Sequence, residues 1–311
     1  MALRIEGLHK NFTERAGRTA RLLANVRFEL ALLGLLLLTA AAVIWQDQIL
    51  LRTTHFTPAS TAPNSHLVFS DADSGGKTVV RGTGALAWDC DLRTGNPYPY
   101  CGYELFVDRN RGSHGLNLTN MRTLTITLMY EGKATSFRVH LKNFDPHYSR
   151  ATDDDTPKYL RVEADTTPGK WQRTSFVPDD FGVADWWLRK YKLAPQYGRP
   201  QFDNITSLII ETGSEAPLGP HAFRIRDIEI KTAIMSDAQW YSLLLGLWIL
   251  MIVAYLGYRL SNLRRALRER RTLEALALRE AQEAARHDHL TKVLNRRGVT
   301  ERFDELRRAR R

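Results

Sequence analysis

Two runs of the chain are almost wholly apolar, and they constrain everything else. "LALLGLLLLTAAAVIW", Leu30–Trp45, has Thr39 as its only polar side chain, and "WYSLLLGLWILMIVAYLGY", Trp240–Tyr258, holds no charge over 19 residues. At about 1.5 Å per residue they make helices of roughly 24 and 28 Å, close to the ~30 Å hydrocarbon core of a bilayer. Arg27 and Glu29 can snorkel to lengthen the first. Trp240, Tyr241, Tyr255 and Tyr258 lie toward the ends of the second, where interfacial aromatics belong. Transmembrane helices are therefore expected at 29–45 and 240–258. A cleaved signal peptide is the rival for the first, with "TAAA" from Thr39 as its cleavage region. The 28 residues ahead of it are long for a signal and favour an uncleaved anchor.

The charge is divided by these runs. Residues 1–28 and 259–311 carry 22 Lys/Arg against 10 acids, or +12, which leaves −2 for the rest of a chain whose net charge is +10. Basic segments beside spans stay in the cytoplasm. The expected topology is a bacterial inner-membrane protein with both termini cytoplasmic and residues 46–239 periplasmic. Juxtamembrane arginine explains the basic balance, so no nucleic-acid partner is expected. Cys90 and Cys101, the only cysteines, both fall in the exported segment. An oxidising compartment favours a disulfide between them, worth on the order of 3 kcal/mol for so short a loop.

Between the spans the hydrophobic period changes to two. "TLTITLMYEG" sets Leu124, Ile126, Leu128 and Tyr130 on one face, and "TSFRVHLKNF" does the same with Phe137, Val139 and Leu141. Joined by "EGKA", they read as an antiparallel hairpin with one wet face. Further strands are expected at 103–107, 159–164, 171–177, 205–211 and 222–232, the last with a bulge at Arg226–Asp227. Seven or more strands with little helix indicate a mainly β exported domain, a jelly-roll β-sandwich with its core at about 65–232, between the two transmembrane helices.

"LTITLMYEGKATSFRVHLKNFDPHYS" and the closing "FRIRDIEI" resemble the galactose-binding-like jelly rolls, a superfamily that includes many carbohydrate-binding modules. The resemblance implies a saccharide as the unknown periplasmic ligand and aromatic side chains as its platform. The candidates are Trp88, Tyr98, Trp171, Trp186, Trp187 and Tyr191, of which "ADWWLRKY" is the most loop-like. A structural Ca²⁺ is a weaker expectation at "DADSGG" from Asp71 or "TDDDTPK" from Thr152; the first lacks the distant Glu of an EF-hand. No nucleophile with a base, no zinc spacing and no phosphate-cradling Gly loop stands in the chain.

Past the second span, 259–286 has no Gly or Pro and is rich in Ala, Leu, Arg and Glu. Leu256, Leu260, Leu263 and Leu267, then Leu273 and Leu276, keep a seam with a stutter near Arg270. That predicts a cytoplasmic helical stalk over 259–287, a coiled coil pairing as a parallel homodimer. A single basic helix lying on anionic lipid is the alternative. "DHLTKVLNRRG" then resembles the Asp-x-Leu-Thr-Gly-Leu-x-Asn-Arg-Arg signature that opens GGDEF domains, the diguanylate cyclase family. Asp288, Leu290, Thr291, Asn295, Arg296 and Arg297 match, whereas Lys292 and Val293 replace the commoner Gly and Leu. The resemblance implies a stalk-to-cyclase junction, a wide turn in which Asp288 pairs with an arginine. Asp288 can also cap the helix that follows.

The metal-binding acids and the Gly-Gly-Asp/Glu-Glu-Phe turn of that family do not follow within residues 288–311. The expectation is the periplasmic sensor and signal-transmitting portion of a diguanylate cyclase, with no catalytic residue and no cofactor of its own. Mg²⁺ and GTP would serve only a full-length parent. A stand-alone membrane-anchored carbohydrate-binding protein with a vestigial tail is the other reading.

Overall fold

The structure is a computed structural model that describes residues 29–62, 65–107, 113–288 and 293–309, without the side chains of Arg297 and Ala309. It divides into two units, residues 1–236 and 237–311.

The first unit opens with an apolar helix α1, Glu29–Ile44, of 16 residues. A short helix α2, Gln46–Leu50, leads directly into strand β1, Leu51–Phe56. The remaining strands are β2 (His66–Ser70), β3 (Val79–Gly84), β4 (Ala87–Leu92), β5 (Cys101–Phe106), β6 (Met121–Glu131), β7 (Ser136–Asn143), β8 (Lys158–Asp165), β9 (Trp171–Phe176), β10 (Gly182–Val183), β11 (Ile205–Thr212) and β12 (Gly219–Ala233). Helix α3, Asp185–Tyr191, follows β10. The strands form two six-stranded sheets. Sheet A runs β3-β4-β12-β6-β9, with β1 also on β12; sheet B runs β10-β8-β7-β11-β5-β2. Every pairing is antiparallel.

The mainly β sandwich is as expected, but the β6–β7 hairpin is not. β6 pairs with β12 and β9 in sheet A, while β7 pairs with β11 and β8 in sheet B. The link at Glu131–Ala134 therefore crosses from one sheet to the other. The reason is the apolar faces: Leu124, Ile126, Leu128 and Tyr130 meet Phe137, Val139 and Leu141 within one core, all with zero exposure. Side by side in one sheet, those faces would need a further layer to cover them. The crossing is tight. Gly132 has φ +148°, and a Cβ there would collide with the Tyr130 hydroxyl, which accepts a bond from Ala134 N at 2.7 Å.

The expected bulge is present, with the β12–β6 register shifting between Ile225 and Asp227. The sheet also reaches further back than expected, because β1 pairs Leu51 with Ala233 and Phe56 with Ile228. Ile234 N donates to Leu50 O, so the first and last strands leave the sandwich side by side at one end of sheet A. Cys90 on β4 and Cys101 on β5 form a disulfide that joins the two sheets.

In the second unit a single helix α4, Asp237–Arg286, runs for 50 residues, about 75 Å. The span expected over 240–258 and all but the last residue of the stalk expected over 259–287 lie within this one continuous helix. It is long and apolar enough to cross a membrane, and its apolar side chains, Leu243, Leu245, Ile249 and Leu250 among them, are exposed. Helix α5, Arg296–Ala309, closes the described chain.

Candidate functional site

Strand alternation sends half of each sheet B side-chain set into the core and half to the opposite face. That outer set comprises Glu104 on β5, Arg138, His140 and Lys142 on β7, Tyr159, Arg161 and Glu163 on β8, and Ser207 and Glu211 on β11. The register places Lys142 between Ser207 and Tyr159, and Arg138 between Glu211 and Glu163. The groups pair accordingly. Lys142 Nζ donates to Glu104 Oε1 at 3.0 Å, and Ser207 Oγ donates to the same oxygen at 2.5 Å. His140 Nε2 and Arg138 Nε lie 3.0 and 3.3 Å from Glu211 Oε1. Arg161 and Ser136 both donate to Glu163 at 2.7 Å.

This face was expected to be wet. Instead His140, Lys142, Glu104 and Glu211 are 2%, 3%, 7% and 9% exposed. Ions removed from water persist only when paired and hydrogen-bonded. Burial pushes the Glu163 carboxyl up, but the Ser214 amide and hydroxyl, Ser136 and Arg161 outweigh it and bring its pKa down to about 2. Burial likewise opposes ionisation of Glu211, yet His140 and Arg138 hold it below the usual carboxylate range. Burial, then the charge of Glu104, pushes the Tyr159 phenol above its ordinary value.

One end of the face is covered by the segment 144–157 and by α3. Tyr148, Ala184 and Trp187 form a small second core there, with Tyr159, Leu188 and Tyr191 packed on it. Lys158 is enclosed within it at zero exposure, donating to Arg199 O at 3.0 Å and to Gln201 Oε1, with its ammonium 4.9 Å from the centre of the Tyr148 ring. Its burial lowers its pKa to about 8 against the opposing pull of Asp145 and Asp203. Between this cover and the sheet lies a cavity of about 30 Å³, lined by Glu104, Phe106, Lys142 and Ser207 on one side and Arg150 and Asp154 on the other.

The aromatic candidates scatter. Trp88 is fully buried in the main core, stacked on Phe223 at 4.7 Å, and is no surface platform. Trp187 is fully buried in the second core, its Nε1 donating to Thr156 O at 3.3 Å. Its neighbour Trp186 is exposed and stands edge-on to Tyr159 at 4.9 Å, beside the polar face. Tyr191 is half-buried and donates to Asp155 O at 3.0 Å. Trp171 is exposed on the edge strand of sheet A, under the Arg226 guanidinium at 4.3 Å. Tyr98 is exposed in the loop closed by the disulfide. Of the six, only Trp186, Trp187 and Tyr191 come together, and only Trp186 presents its ring at the polar face. At the first acidic cluster Asp71 turns inward and accepts from Thr78 N at 3.0 Å; among the described residues no three metal-ligating groups gather.

The second unit gives the motif at 288–298 a shape. Leu290 and Thr291 lie outside the described residues. Of the flanking residues, His287 bridges Leu294, and Asp288 N donates to Val293 O at 2.8 Å. The cap of α5 is Asn295, not Asp288. Asn295 Oδ1 accepts from Gly298 N at 2.9 Å while its Nδ2 reaches Ala285 O at 2.7 Å, so one side chain ties the end of α4 to the start of α5. A Cβ at position 298 would run into Arg286 O, which accounts for the glycine. Arg286 pairs with Glu301 at 2.9 Å and Glu305 at 3.1 Å, a contact not foreseen from sequence. Arg296 is exposed, and the side chain of Arg297 is outside the described set.

No family model matches the chain, and no curated protein matches it in sequence. Among solved structures it is similar to the family 11 carbohydrate-binding module of cellulosomal cellulase Lic26A-Cel5E of Clostridium thermocellum, at 11% identity and a TM-score of 0.40, covering 60% of this chain and 98% of that one. The family 11 module in complex with a β-1,3-1,4-mixed-linked tetrasaccharide is similar at 12% identity and a TM-score of 0.39, covering 57% and 94%. A family 30 carbohydrate-binding module is similar at 13% and 0.35, covering 56% and 98%.

Proposed function

We propose that the chain is a membrane-anchored saccharide sensor, its sandwich on the periplasmic side of a bacterial inner membrane. The observation that carries the reading is the outer face of sheet B: three carboxylates, two arginines, a lysine and a histidine in fixed pairs, beside Tyr159 and the exposed ring of Trp186. Sugars need planar polar groups that both donate and accept, next to an aromatic edge or face for their C–H surface. α1 and α4 would anchor it, one on each chain end that leaves sheet A at Leu51 and Ala233. Thermal unfolding of the purified chain in detergent, with and without neutral, acidic and amino sugars, tests the ligand. A sugar that raises the midpoint for the wild type but not for Trp186→Ala is the expected result, and no shift with any class removes the saccharide assignment.

The cytoplasmic side of the proposal is the signal-transmitting portion of a diguanylate cyclase, without its catalytic residues, with α4 passing ligand occupancy to a parallel homodimeric stalk. Its support is the resemblance of the motif at 288–298 to the opening signature of that family, in which Asn295 caps α5 and Gly298 leaves room for Arg286 O. Cysteines at Leu263 or Leu267, oxidised in membranes, should cross-link two chains at one helical face. Equal cross-linking around the whole helix would speak against a stalk dimer.

A further inference from the structure

We propose that residues 150–156 are a movable flap over the Glu104–Lys142 pair, latched to α3 through Asp155, and that Arg150 and Asp154 are ligand contacts the flap carries. The inference rests on the saccharide reading for the nature of the ligand but not for the motion. It starts from size: a cavity of about 30 Å³ holds a water molecule or so, while ligand pockets run to hundreds of Å³, so nothing as large as a sugar ring reaches Ser207 or Lys142 with the cover in place. One wall of the cavity is sheet B, which is fixed by its ladders. The other is a loop closed on itself, with Thr156 Oγ1 accepting from Arg150 N at 2.7 Å and donating to Asp153 O at 2.7 Å.

The outward bonds of this loop all run one way. Lys190 pairs with the Asp155 carboxylate at 3.1 Å, Tyr191 donates to Asp155 O at 3.0 Å, and Trp187 donates to Thr156 O at 3.3 Å. Among the described residues no hydrogen bond or ion pair joins 150–155 to Glu104, Lys142 or Ser207 across the cavity. The side chains of Arg150 and Asp154, at the cavity rim, have no charged partner among them either. A loop held down by α3 alone and unbonded to the sheet lifts when those bonds break, and on closing brings one cation and one anion to whatever fills the gap.

Ser207 is 1% exposed, which makes it a reporter. Ser207→Cys would carry the only free thiol, since Cys90 and Cys101 are bonded to each other. Its rate of modification by N-ethylmaleimide in the full chain in detergent measures opening. Lys190→Met with Tyr191→Phe, removing two of the three latch bonds, should speed modification about tenfold and lower the unfolding midpoint by no more than those two bonds contribute. Identical rates with and without the latch overturn the flap. So does an equal acceleration by Leu128→Ala, a core change remote from α3, because modification would then report global unfolding. Added cellotetraose separates the two readings: slower modification in the wild-type background supports both, whereas an intact latch effect without slowing counts against the saccharide and leaves the flap standing.

Discussion

Lys158 offers the sharpest quantitative test of the fold around the site. Its ammonium is fully enclosed by Tyr148, Trp187 and the 199–201 backbone, and burial lowers its pKa from 10.5 to about 8. A lysine depressed in this way is held at a cost. Below pH 8 folded and unfolded chains both carry the proton, and the full cost of about 3 kcal/mol is present, at 1.36 kcal/mol per pKa unit. Between pH 8 and 10.5 the folded chain gives up its proton while the unfolded chain keeps it, so stability rises with pH. The usable window closes near pH 10, where Tyr148 and Tyr159, whose phenols are pushed up in the fold, begin to ionise in the unfolded chain and reverse the trend. Lys158→Met keeps the stem and removes the charge. It leaves Arg199 O and Gln201 Oε1 without their donor, at about 1–2 kcal/mol. The variant should therefore match or exceed the wild type at pH 7 and fall below it at pH 10. Urea unfolding of the micelle-held chain at pH 6 to 10 measures both curves, and parallel curves through pH 8–10 would refute the assignment of a strained ammonium.

Three further outcomes follow from the same structure. Replacing both Cys90 and Cys101 by Ala should lower the stability of the sandwich by about 3 kcal/mol, and reduction of the wild type should give the same shift in urea midpoint, because the staple closes a loop of 11 residues. His221 is buried between the Tyr130 hydroxyl at 2.6 Å and Pro217 O at 2.7 Å, and its burial lowers its pKa from 6.5. As pH falls below 6.5 the unfolded chain takes up a proton that the fold resists, so stability should fall, and His221→Gln should flatten that acid limb in pH-dependent urea titrations. Gly298→Ala should break the α4–α5 turn, seen as loss of hydrogen-exchange protection at Asn295 and Val299 with no change in the sandwich; full protection would show that the turn tolerates a Cβ.

The strands with a clean period of two were legible: β5 to β9, β11 and β12 all lie close to where alternation puts them. β4 is equally legible, since "LAWDCDL" alternates Leu86, Trp88, Cys90 and Leu92 inward with Ala87, Asp89 and Asp91 outward. That pattern alone moves Trp88 from platform to core. β1 carries no such signal. "LRTTHF" is polar, and it is a strand only because β12 extends past β4 and offers a free edge. The site was the least legible part. Arg138, His140 and Lys142 read as a solvated face, as they would on an open sheet, and the cover that buries them comes from a loop and a seven-residue helix whose positions depend on Trp187. Sequence periodicity reports which side of a strand is apolar, not what is laid over the polar side.

The arrangement also limits how the site and the chain ends are connected. The polar face and its cavity belong to sheet B, while β1 and β12, which continue toward α1 and α4, belong to sheet A. The sheets share no strand, so a change at Glu104 or Lys142 reaches β12 through the packed layer between them and the links that cross it. That layer is built of close-packed large side chains, Trp88, Tyr103, Phe137 and Phe223 among them, and such interiors transmit displacement rather than absorb it. Leu51 is paired with Ala233, and only Ile234, Met235 and Ser236 separate β12 from α4. Sliding one chain end along the other would break the β1–β12 ladder, register by register from Leu51 to Phe56. The ladder therefore holds β1 and β12 in register where they leave the sandwich.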